Sequence, residues 1–402
     1  MPRPVSVRRS VCPPTLSRRS LLGRAAAAGF AVPAFAALGL GLPAARGAGA
    51  ADPLAASLDA VLAAAVEDGF PGVALSVARA GKTIYAGAAG VASIAENTPL
   101  KADDRQRIYS IAKTFTATVA LQLVDEGVLS LDDTAVDWLD DPAVTRIPNA
   151  NTATLRQLLL HTSGIYDFAD DTDSPFWLDA FLGPDADWTK VWTPEDLLAY
   201  ADGANHAPYF APGQGYAYSN TNYILIGLIV EQATGRTYGA ELQSRILEPL
   251  ALADTFLAEG TAMPDGTIDA YQVVDGQLVS LSGTNLSWAW TFGGMVSTTA
   301  DLARFSRAVF GGELLSPASF KEMFTFVPAD KPGKFEGMGV YKIGTPNGEL
   351  VGMDGTGPGA NSSMMRLPEP DLTVVLIGNM APDEGATELL RDEVVRLVLG
   401  SA

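Results

Sequence analysis

The sequence predicts an α+β fold, in which strands from both ends of the mature chain form one sheet and a mostly helical region is inserted between them. Near the start, Val73, Leu75 and Val77 alternate with other residues, a pattern typical of a strand that covers a core with one face. Near the far end, "LTVVLIGNM" (residues 372–380) is an apolar run of strand length. Between these segments most apolar residues recur at helical spacing.

Along the chain, the predicted elements begin with a helix over residues 54–66, which Pro71-Gly72 ends. The alternating segment that follows turns at Gly81-Lys82, which predicts a hairpin half-buried against the rest of the protein. The inserted region has predicted helices, several of which end at glycine as C-caps often do, in residues 113–127, 153–164, 193–203, 220–235 and 298–312. A last helix, in residues 385–400, follows the far strand.

The first fifty residues have the composition of an export signal. In "SRRSLL", Arg18-Arg19 precede a run rich in Ala and Leu, and "AGA" (residues 48–50) offers a cleavage site after Ala50. A twin arginine is typical of substrates of the route that exports folded proteins. A retained membrane anchor is the alternative, although the run contains Gly and Pro. We expect an exported protein, periplasmic or secreted, with a mature chain of residues 51–402 and no stable membrane span after cleavage.

The mature chain is strongly acidic. Residues 1–50 contain seven Arg and no acidic residue, so residues 51–402 have 20 basic and 46 acidic residues and a net charge of −26. Such a surface repels phosphate backbones, which argues against a nucleic-acid partner. The only cysteine, Cys12, lies in the predicted signal. The mature chain therefore has no disulfide, no cysteine nucleophile and no thiolate metal site.

Ser110 and Lys113 lie three residues apart in "RIYSIAKTFTA" (residues 107–117). The apolar pattern predicts a helix here, and residues three apart share one face of a helix, so the hydroxyl and the ammonium can touch. The first turn of a helix also has free N–H groups for an oxyanion. For Lys113 to act as a base, its pKa must fall from about 10.4 towards 7, which takes roughly 4 kcal/mol of desolvation and positive potential. The alternative is a capping Ser and a solvated Lys.

Two later segments contain further groups that an active site needs. Tyr218 and Asn220 stand directly before a very apolar helix; a phenol can relay a proton, and an amide can orient a substrate or hold a lysine. The alternative is a Tyr packed on the loop and an Asn that caps the helix. "VGMDGTGPGANSS" (residues 351–363) has glycines that allow a close approach to the backbone, or it is a plain turn.

These three segments, in this order, resemble the motifs of the serine hydrolases related to class C β-lactamases and serine D-alanyl-D-alanine carboxypeptidases. The family's S-x-x-K matches residues 110–113, its Y-x-N matches 218–220 and its [KH]-x-G falls at 353–355. With flanks such as "LRQLLLHTSGI" and "GGMVSTTADLARF", the resemblance covers nearly the whole mature chain. It implies a β-lactamase/transpeptidase-like fold, with an antiparallel sheet flanked by helices.

The resemblance also implies how one catalytic domain, residues 51–402, is divided. About 51–108 and 285–402 would form the sheet subdomain, and about 109–284 an inserted all-helical subdomain.

The resemblance further implies the roles of the site residues. Ser110 attacks a carbonyl and forms an acyl-enzyme, which water then hydrolyses. Lys113 and Tyr218 share the proton, as base during attack and acid towards the leaving group, and which of them is the base stays open. Asn220 orients the substrate or Lys113. The N–H groups of Ser110 and Thr356 would form the oxyanion hole, and no metal or cofactor is implied.

The third motif departs from the family pattern. Met353 stands where the family usually has Lys or His, Asp354 stands where many relatives have Thr or Ser, and Gly355 matches. A Lys or His helps to hold a substrate carboxylate and tunes the proton relay, which Met cannot do. Both changes argue against β-lactams and the D-Ala-D-Ala terminus, and they favour a neutral ester or amide as the small-molecule or peptide-like substrate. With Asn220 and Thr356, these three residues are the expected substrate-binding set.

Several functions stay open at this stage. Within the enzyme class the order is esterase or amidase, then D-alanyl-D-alanine carboxypeptidase, then class C-type β-lactamase. A penicillin-binding sensor or scaffold, which traps the acyl group without turnover, is the alternative outside enzymes. The intact Ser110, Lys113, Tyr218 and Asn220 favour an enzyme.

The remaining candidate residues are weaker. His161, in "LLLHTSGI", is expected to be a buried structural histidine. With two histidines and no H-E-x-x-H motif, a zinc site is not expected. Trp288 and Trp290 either line the substrate cleft or pack in the core. Residues 165–193, with three Trp and many Asp, are either a loop over a site or a solvated acidic loop, and their length and aromatic residues favour the first.

Overall fold

The computed structural model describes residues 52–171, 173–183, 185–260, 263–264, 266–274, 277–380 and 385–401. The predicted export signal, residues 1–50, lies outside this part of the chain. Helix α1 (Pro53–Glu67) begins as its sequence predicts, because the Asp52 side chain accepts a hydrogen bond from the Leu54 N–H at 3.0 Å and Pro53 occupies the first turn. In the described ranges, no helix combines the length and the apolar character needed to cross a membrane.

Within these ranges the main sheet has nine strands, and each neighbouring pair runs antiparallel. In their order across the sheet, the strands are β3 (Thr98–Pro99), β2 (Lys82–Ser93), β1 (Gly72–Arg79), β14 (Leu372–Gly378), β13 (Ala360–Leu367), β12 (Gly348–Gly357), β11 (Tyr341–Thr345), β10 (Lys334–Glu336) and β9 (Val327–Pro328). Strands β1 and β14 pair from Val73 opposite Gly378 to Arg79 opposite Leu372. The predicted α+β fold with an antiparallel sheet is confirmed.

Helices cover both faces of this sheet. Helix α1 packs against α13 (Ala386–Gly400), and both contact the sheet, while α11 (Thr299–Phe310) contacts β1, β13 and β14. Strand β1, which the sequence predicts to be half-buried, is buried along nearly its whole length because it lies inside the sheet between β2 and β14.

Strand β12 shows which face carries the site. The Asp354 carboxylate reaches Arg391 of α13, whereas a Cβ at the next residue, Gly355, would lie 3.0 Å from Ser110 N. Successive residues of a strand point to opposite faces. Helix α13 and Ser110 therefore lie on opposite sides of the sheet.

The region between the two groups of sheet strands is mainly helical. Its α-helices are α2 (Ala112–Asp125), α3 (Ala135–Trp138), α4 (Pro142–Thr145), α5 (Leu155–Leu159), α6 (Pro175–Trp177), α7 (Pro194–Leu198), α8 (Asn220–Thr234), α9 (Tyr238–Leu242), α10 (Trp290–Gly293), α11 and α12 (Pro317–Met323). Helix α8 ends at Gly235, which has φ 67°, as the sequence predicts. Helix α5 is shorter than predicted and ends before His161, whose φ of 55° is left-handed.

Short strands anchor the segment that carries Ser110. Strands β4 (Gln106–Arg107), β8 (Met295–Ser297) and β5 (Phe256–Leu257) form a small second sheet, and β6 (Tyr271–Val274) pairs with β7 (Gln277–Ser280). The Ile108 N–H then donates to the Met295 carbonyl at 3.1 Å. The chain is thus fixed by the backbone until two residues before the nucleophile.

Candidate active site

Ser110 lies in a single 3-10 turn, Tyr109–Ile111, that runs directly into α2. Tyr109 has φ 42°, which is rare for a residue with a side chain. The Tyr109 hydroxyl donates to the Pro358 carbonyl, so this unusual turn is tied to the segment after β12. The consequence is a nucleophile whose backbone is held from both sides.

Lys113 is fully buried on the first turn of α2. Its Nζ lies 3.0 Å from Ser110 Oγ, 2.7 Å from Asn220 Oδ1 and 2.9 Å from the Phe292 carbonyl oxygen. The amide and carbonyl oxygens can only accept hydrogen bonds. A neutral amine would use its two hydrogens on these oxygens, which leaves its lone pair directed at the Ser110 hydroxyl.

The environment favours this neutral form. Burial lowers the pKa of Lys113 to about 7, although the charges of Asp170, Asp167 and Glu336 act in the opposite direction. The alternative of a solvated lysine is excluded, because the side chain has no exposed surface. Near neutral pH a substantial fraction of Lys113 is therefore able to accept a proton.

Tyr218 approaches Ser110 from the other side. Its hydroxyl donates to Ser110 Oγ at 2.9 Å. Burial raises the pKa of Tyr218 well above its ordinary value, and the negative charge of Asp170 acts in the same direction. The phenol consequently stays protonated and is a proton donor at rest.

Asn220 connects Lys113 to two carboxylates. It is the first residue of α8, and its Nδ2 donates to Asp167 at 3.1 Å and to Asp170 at 3.2 Å, while its Oδ1 accepts from Lys113. Asp167 is buried and Asp170 is exposed on the cleft side. Burial raises the pKa of Asp167 to about 8, with the charge of Asp170 adding to this effect.

Strand β12 passes very close to the nucleophile. A Cβ at Gly355 would lie 2.1 Å from the Ile108 carbonyl oxygen and 3.0 Å from Ser110 N. Only glycine fits this contact. The next residue, Thr356, lines the same cleft as Ser110.

The other two residues of the third motif occupy different surroundings. Met353 is 3 % exposed and belongs to the hydrophobic core. Asp354 forms an ion pair with Arg391 at 3.1 Å and accepts a hydrogen bond from Tyr341. The expectation that Asp354 adds negative charge next to the substrate is therefore corrected. The Asp354 carboxylate lies on the opposite face of the sheet, where Arg391 balances its charge.

A cleft with about 460 Å³ of empty space opens above Ser110. Its lining residues are Tyr109, Ser110, Ala169, Asp170, Trp177, Asn220, Trp288, Phe292, Gly293, Thr356, Gly357 and Pro358. The sequence leaves open whether Trp288 and Trp290 line the cleft or pack in the core. In the structure Trp288 lines the cleft, whereas Trp290 packs against Gly227 and Tyr238. The segment expected to cover a site contributes Asp170 and Trp177 to the wall.

Comparison with known proteins identifies the family. The family model described as Beta-lactamase matches residues 58–397. The chain belongs to the Beta-lactamase family. Penicillin-binding protein 4* of Bacillus subtilis (strain 168) is 28 % identical over 329 residues, which cover 78 % of this chain and 69 % of that protein.

Two solved structures share the fold over more than four fifths of this chain. The D-stereospecific amidohydrolase from Streptomyces sp. has a TM-score of 0.72 and 36 % identity, covering 81 % of this chain and 94 % of its own. The D-amino acid amidase from Ochrobactrum anthropi SV3, complexed with D-phenylalanine, has a TM-score of 0.76 and 28 % identity, covering 87 % and 100 %. Like other members of the Beta-lactamase family, this protein is a serine hydrolase.

The structure brings Ser110, Lys113, Tyr218 and Asn220 together, and it adds residues that sequence reasoning missed. The sequence shows Asp167 and Asp170 only as part of an acidic loop, whereas in the structure a hydrogen-bond chain leads from them to Lys113. The Phe292 carbonyl, which fixes Lys113, carries no signal in the sequence because any residue can supply it. His161 also lies at this site, next to Tyr218.

Proposed function

We propose that this protein hydrolyses esters and amides through an acyl-enzyme on Ser110, with Lys113 as the base and Tyr218 as the acid. The observation that carries this proposal is the pair of hydrogen bonds at Ser110 Oγ, 3.0 Å to Lys113 Nζ and 2.9 Å to the Tyr218 hydroxyl. One partner has a lowered pKa and the other a raised one. Groups whose surroundings push their pKa values apart mark the acid and the base of a site.

In the first step, neutral Lys113 takes the Ser110 proton while Oγ bonds to the substrate carbonyl carbon. The carbonyl oxygen becomes negative and is stabilised by the N–H groups of Ser110 and Thr356. Asn220 Oδ1 and the Phe292 carbonyl, which already accept from Lys113, then stabilise the ammonium that forms.

In the second step, the leaving amine or alkoxide takes the proton of the Tyr218 hydroxyl as its bond to the carbonyl carbon breaks. The proton on Lys113 returns to the phenolate. Water then attacks the ester carbonyl and loses a proton to Lys113, and Lys113 gives this proton to Ser110 Oγ as the bond from Oγ to the acyl carbon breaks and the acid product leaves. No metal enters these steps.

The cleft wall supports a substrate whose acyl part carries an ammonium group. In the described chain, no Lys or Arg forms a salt bridge with Asp170 or Asp167, and the Asp170 side chain faces the cleft. Rings of Trp177, Trp288 and Phe292 line the same space. An amino-acid amide or ester with an apolar side chain fits this combination, and the two amidase-type neighbours are consistent with it.

Intact-protein mass spectrometry over time tests the acyl-enzyme. With p-nitrophenyl acetate, we expect an acetyl adduct that forms and decays on the wild-type chain and is absent from Ser110→Ala. A penicillin adduct that forms and persists, without ester or amide turnover, would instead favour the sensor or carboxypeptidase alternative. No Ser110-dependent adduct from any ester or amide would refute the proposal.

Paired substrates test the ammonium preference. Phenylalanine amide and N-acetylphenylalanine amide, each as the D and L form, differ in charge at one nitrogen. In one enantiomer, we expect kcat/KM to be about tenfold higher for phenylalanine amide than for N-acetylphenylalanine amide. A tenfold ratio corresponds to about 1.4 kcal/mol of binding between the ammonium group and the enzyme. Asp170→Asn should remove this difference, and Asp173→Asn, an exposed neighbour on the same loop, should not. Equal rates for both substrates would contradict the preference.

We also propose that residues 1–50 direct export. Arg18-Arg19 before the apolar run and the "AGA" sequence support this. Expression of the full chain with Arg18→Lys and Arg19→Lys should retain the protein inside the cell. Unchanged secretion, or a mature N-terminus that still contains the apolar run, would contradict it.

A further inference from the structure

His161 makes several contacts around Tyr218. Its fully buried ring stacks on the Tyr218 ring, with centroids 4.3 Å apart and planes at 29°. Its Nδ1 accepts a hydrogen bond from the Ser219 N–H at 3.0 Å, and its carbonyl oxygen accepts from the Ala217 N–H at 3.0 Å. One residue therefore fixes the backbone on both sides of Tyr218 and supports the ring itself.

The hydrogen bond at Nδ1 determines the form of the imidazole. An atom that accepts from a backbone N–H has no proton of its own, so the neutral ring carries its proton on Nε2. Burial and the charge of Lys113 hold the pKa of His161 well below its usual range. The ring is consequently neutral at working pH, and it acts through shape and its acceptor rather than as a base.

The catalytic cycle makes this support necessary. Tyr218 lies in a segment, residues 202–219, without helix or strand, and its hydroxyl is held by Ser110 Oγ. In the acyl-enzyme this oxygen becomes an ester oxygen, which is a much weaker acceptor than the hydroxyl. The phenol must then be held by something other than the nucleophile, and none of the His161 contacts with this segment involves Ser110.

We propose that His161 is a positioning residue that keeps the Tyr218 hydroxyl directed at the leaving group. The inference rests on the proposed function, because it assigns the proton donor role to Tyr218. It predicts a selective effect. An amide needs protonation of its leaving amine, whereas p-nitrophenolate leaves without a proton, so loss of His161 should harm amide hydrolysis more than p-nitrophenyl ester hydrolysis.

Two variants separate the contacts of His161. His161→Asn keeps a residue that tolerates the observed φ of 55° and offers an acceptor near the position of Nδ1, but it loses the ring stack. His161→Phe keeps a ring but loses the acceptor. The control is Phe305→Leu, which disrupts a buried ring stack with Phe115 at 3.5 Å and has no contact with Tyr218.

The measurement is the ratio of kcat/KM for an amide to kcat/KM for a p-nitrophenyl ester of the same acyl group. This ratio does not depend on the fraction of folded enzyme. We expect it to fall about tenfold in both His161 variants and to stay unchanged in Phe305→Leu. An unchanged ratio in the His161 variants, with both rates lowered equally, would overturn the inference and leave only a structural role.

A second background makes the test specific for Tyr218. In Tyr218→Phe the phenolic proton is already lost, so His161→Asn should produce no further fall in the ratio. A further tenfold fall in that background would show that His161 acts through another group and would overturn the inference. Failure of the proposed function looks different, since wild type itself would then form no Ser110 adduct.

Discussion

The charge of Asp170 should control the pH at which Lys113 becomes an active base. Asp170 Oδ1 lies 3.2 Å from Asn220 Nδ2, and Asn220 Oδ1 lies 2.7 Å from Lys113 Nζ. Asp170→Asn removes the charge at one end of this chain and keeps an oxygen that can accept from Asn220. The neutral form of Lys113 is the base, so the rate rises with pH through the pKa of Lys113, which is about 7.

The magnitude follows from the geometry. One amide separates the two charges, which puts them about 7 Å apart, and at an effective dielectric constant of about 20 their attraction is about 2.4 kcal/mol. Because Asp170 is exposed, solvent screening reduces this to about 1 kcal/mol. The carboxylate stabilises the protonated amine, so its removal should shift the rising limb of the profile to lower pH by about 0.7 pH unit.

The assay is kcat/KM for p-nitrophenyl acetate between pH 5 and 9, at low and high salt. This substrate has no ammonium group, so binding at Asp170 does not enter the result. Asp173→Asn is the matched control and should leave the midpoint in place. A midpoint that stays or moves to higher pH in Asp170→Asn would refute the assignment of Lys113 as the base in contact with this carboxylate.

Three further predictions concern β12. Gly355→Ala should lower kcat/KM for p-nitrophenyl acetate by a factor of about 100 or more, because its Cβ would lie 2.1 Å from the Ile108 carbonyl oxygen. Gly344→Ala is the control, since a Cβ there meets open space, and it should keep kcat/KM within about twofold. Arg391→Met should lower the free energy of unfolding by about 3 kcal/mol, since it leaves Asp354 without its cation. In urea unfolding, the double variant with Asp354→Asn and Arg391→Met should be more stable than Arg391→Met alone. Losses that simply add in the double variant would contradict this ion pair. Met353→His should raise turnover of carboxylate-bearing substrates such as penicillins, and no gain would count against the interpretation of Met353.

The catalytic group was predictable from sequence because its members are fixed by local patterns. Ser110 lies in the turn that leads into α2 and Lys113 in the first turn of α2, three residues apart, while Tyr218 and Asn220 lie where α8 begins, a helix whose apolar residues require burial. The sheet was predictable for the same reason, since alternation and a strongly apolar run identify strands.

The remaining site residues depend on contacts between distant parts of the chain. Asp167 and Asp170 reach Asn220 across about fifty positions, and the position of the Phe292 carbonyl depends on how α10 packs. His161 was correctly expected to be buried, but its contact with Tyr218 follows from a left-handed residue that ends α5 early. The expectation for Asp354 was wrong because successive strand residues point to opposite faces. Gly355 faces Ser110, so Asp354 faces Arg391 on the other side of the sheet.

The pairing of β1 with β14 has a consequence for the order in which the molecule is built on the ribosome. Val73 of β1 has β2 on one side, but its partner on the other side, Gly378 of β14, is synthesised about 300 residues later. Gly355, which closes over Ser110, emerges only shortly before Gly378. The strand that closes over Ser110 and the strand that joins β1 to the sheet are therefore among the last parts of the fold to be made.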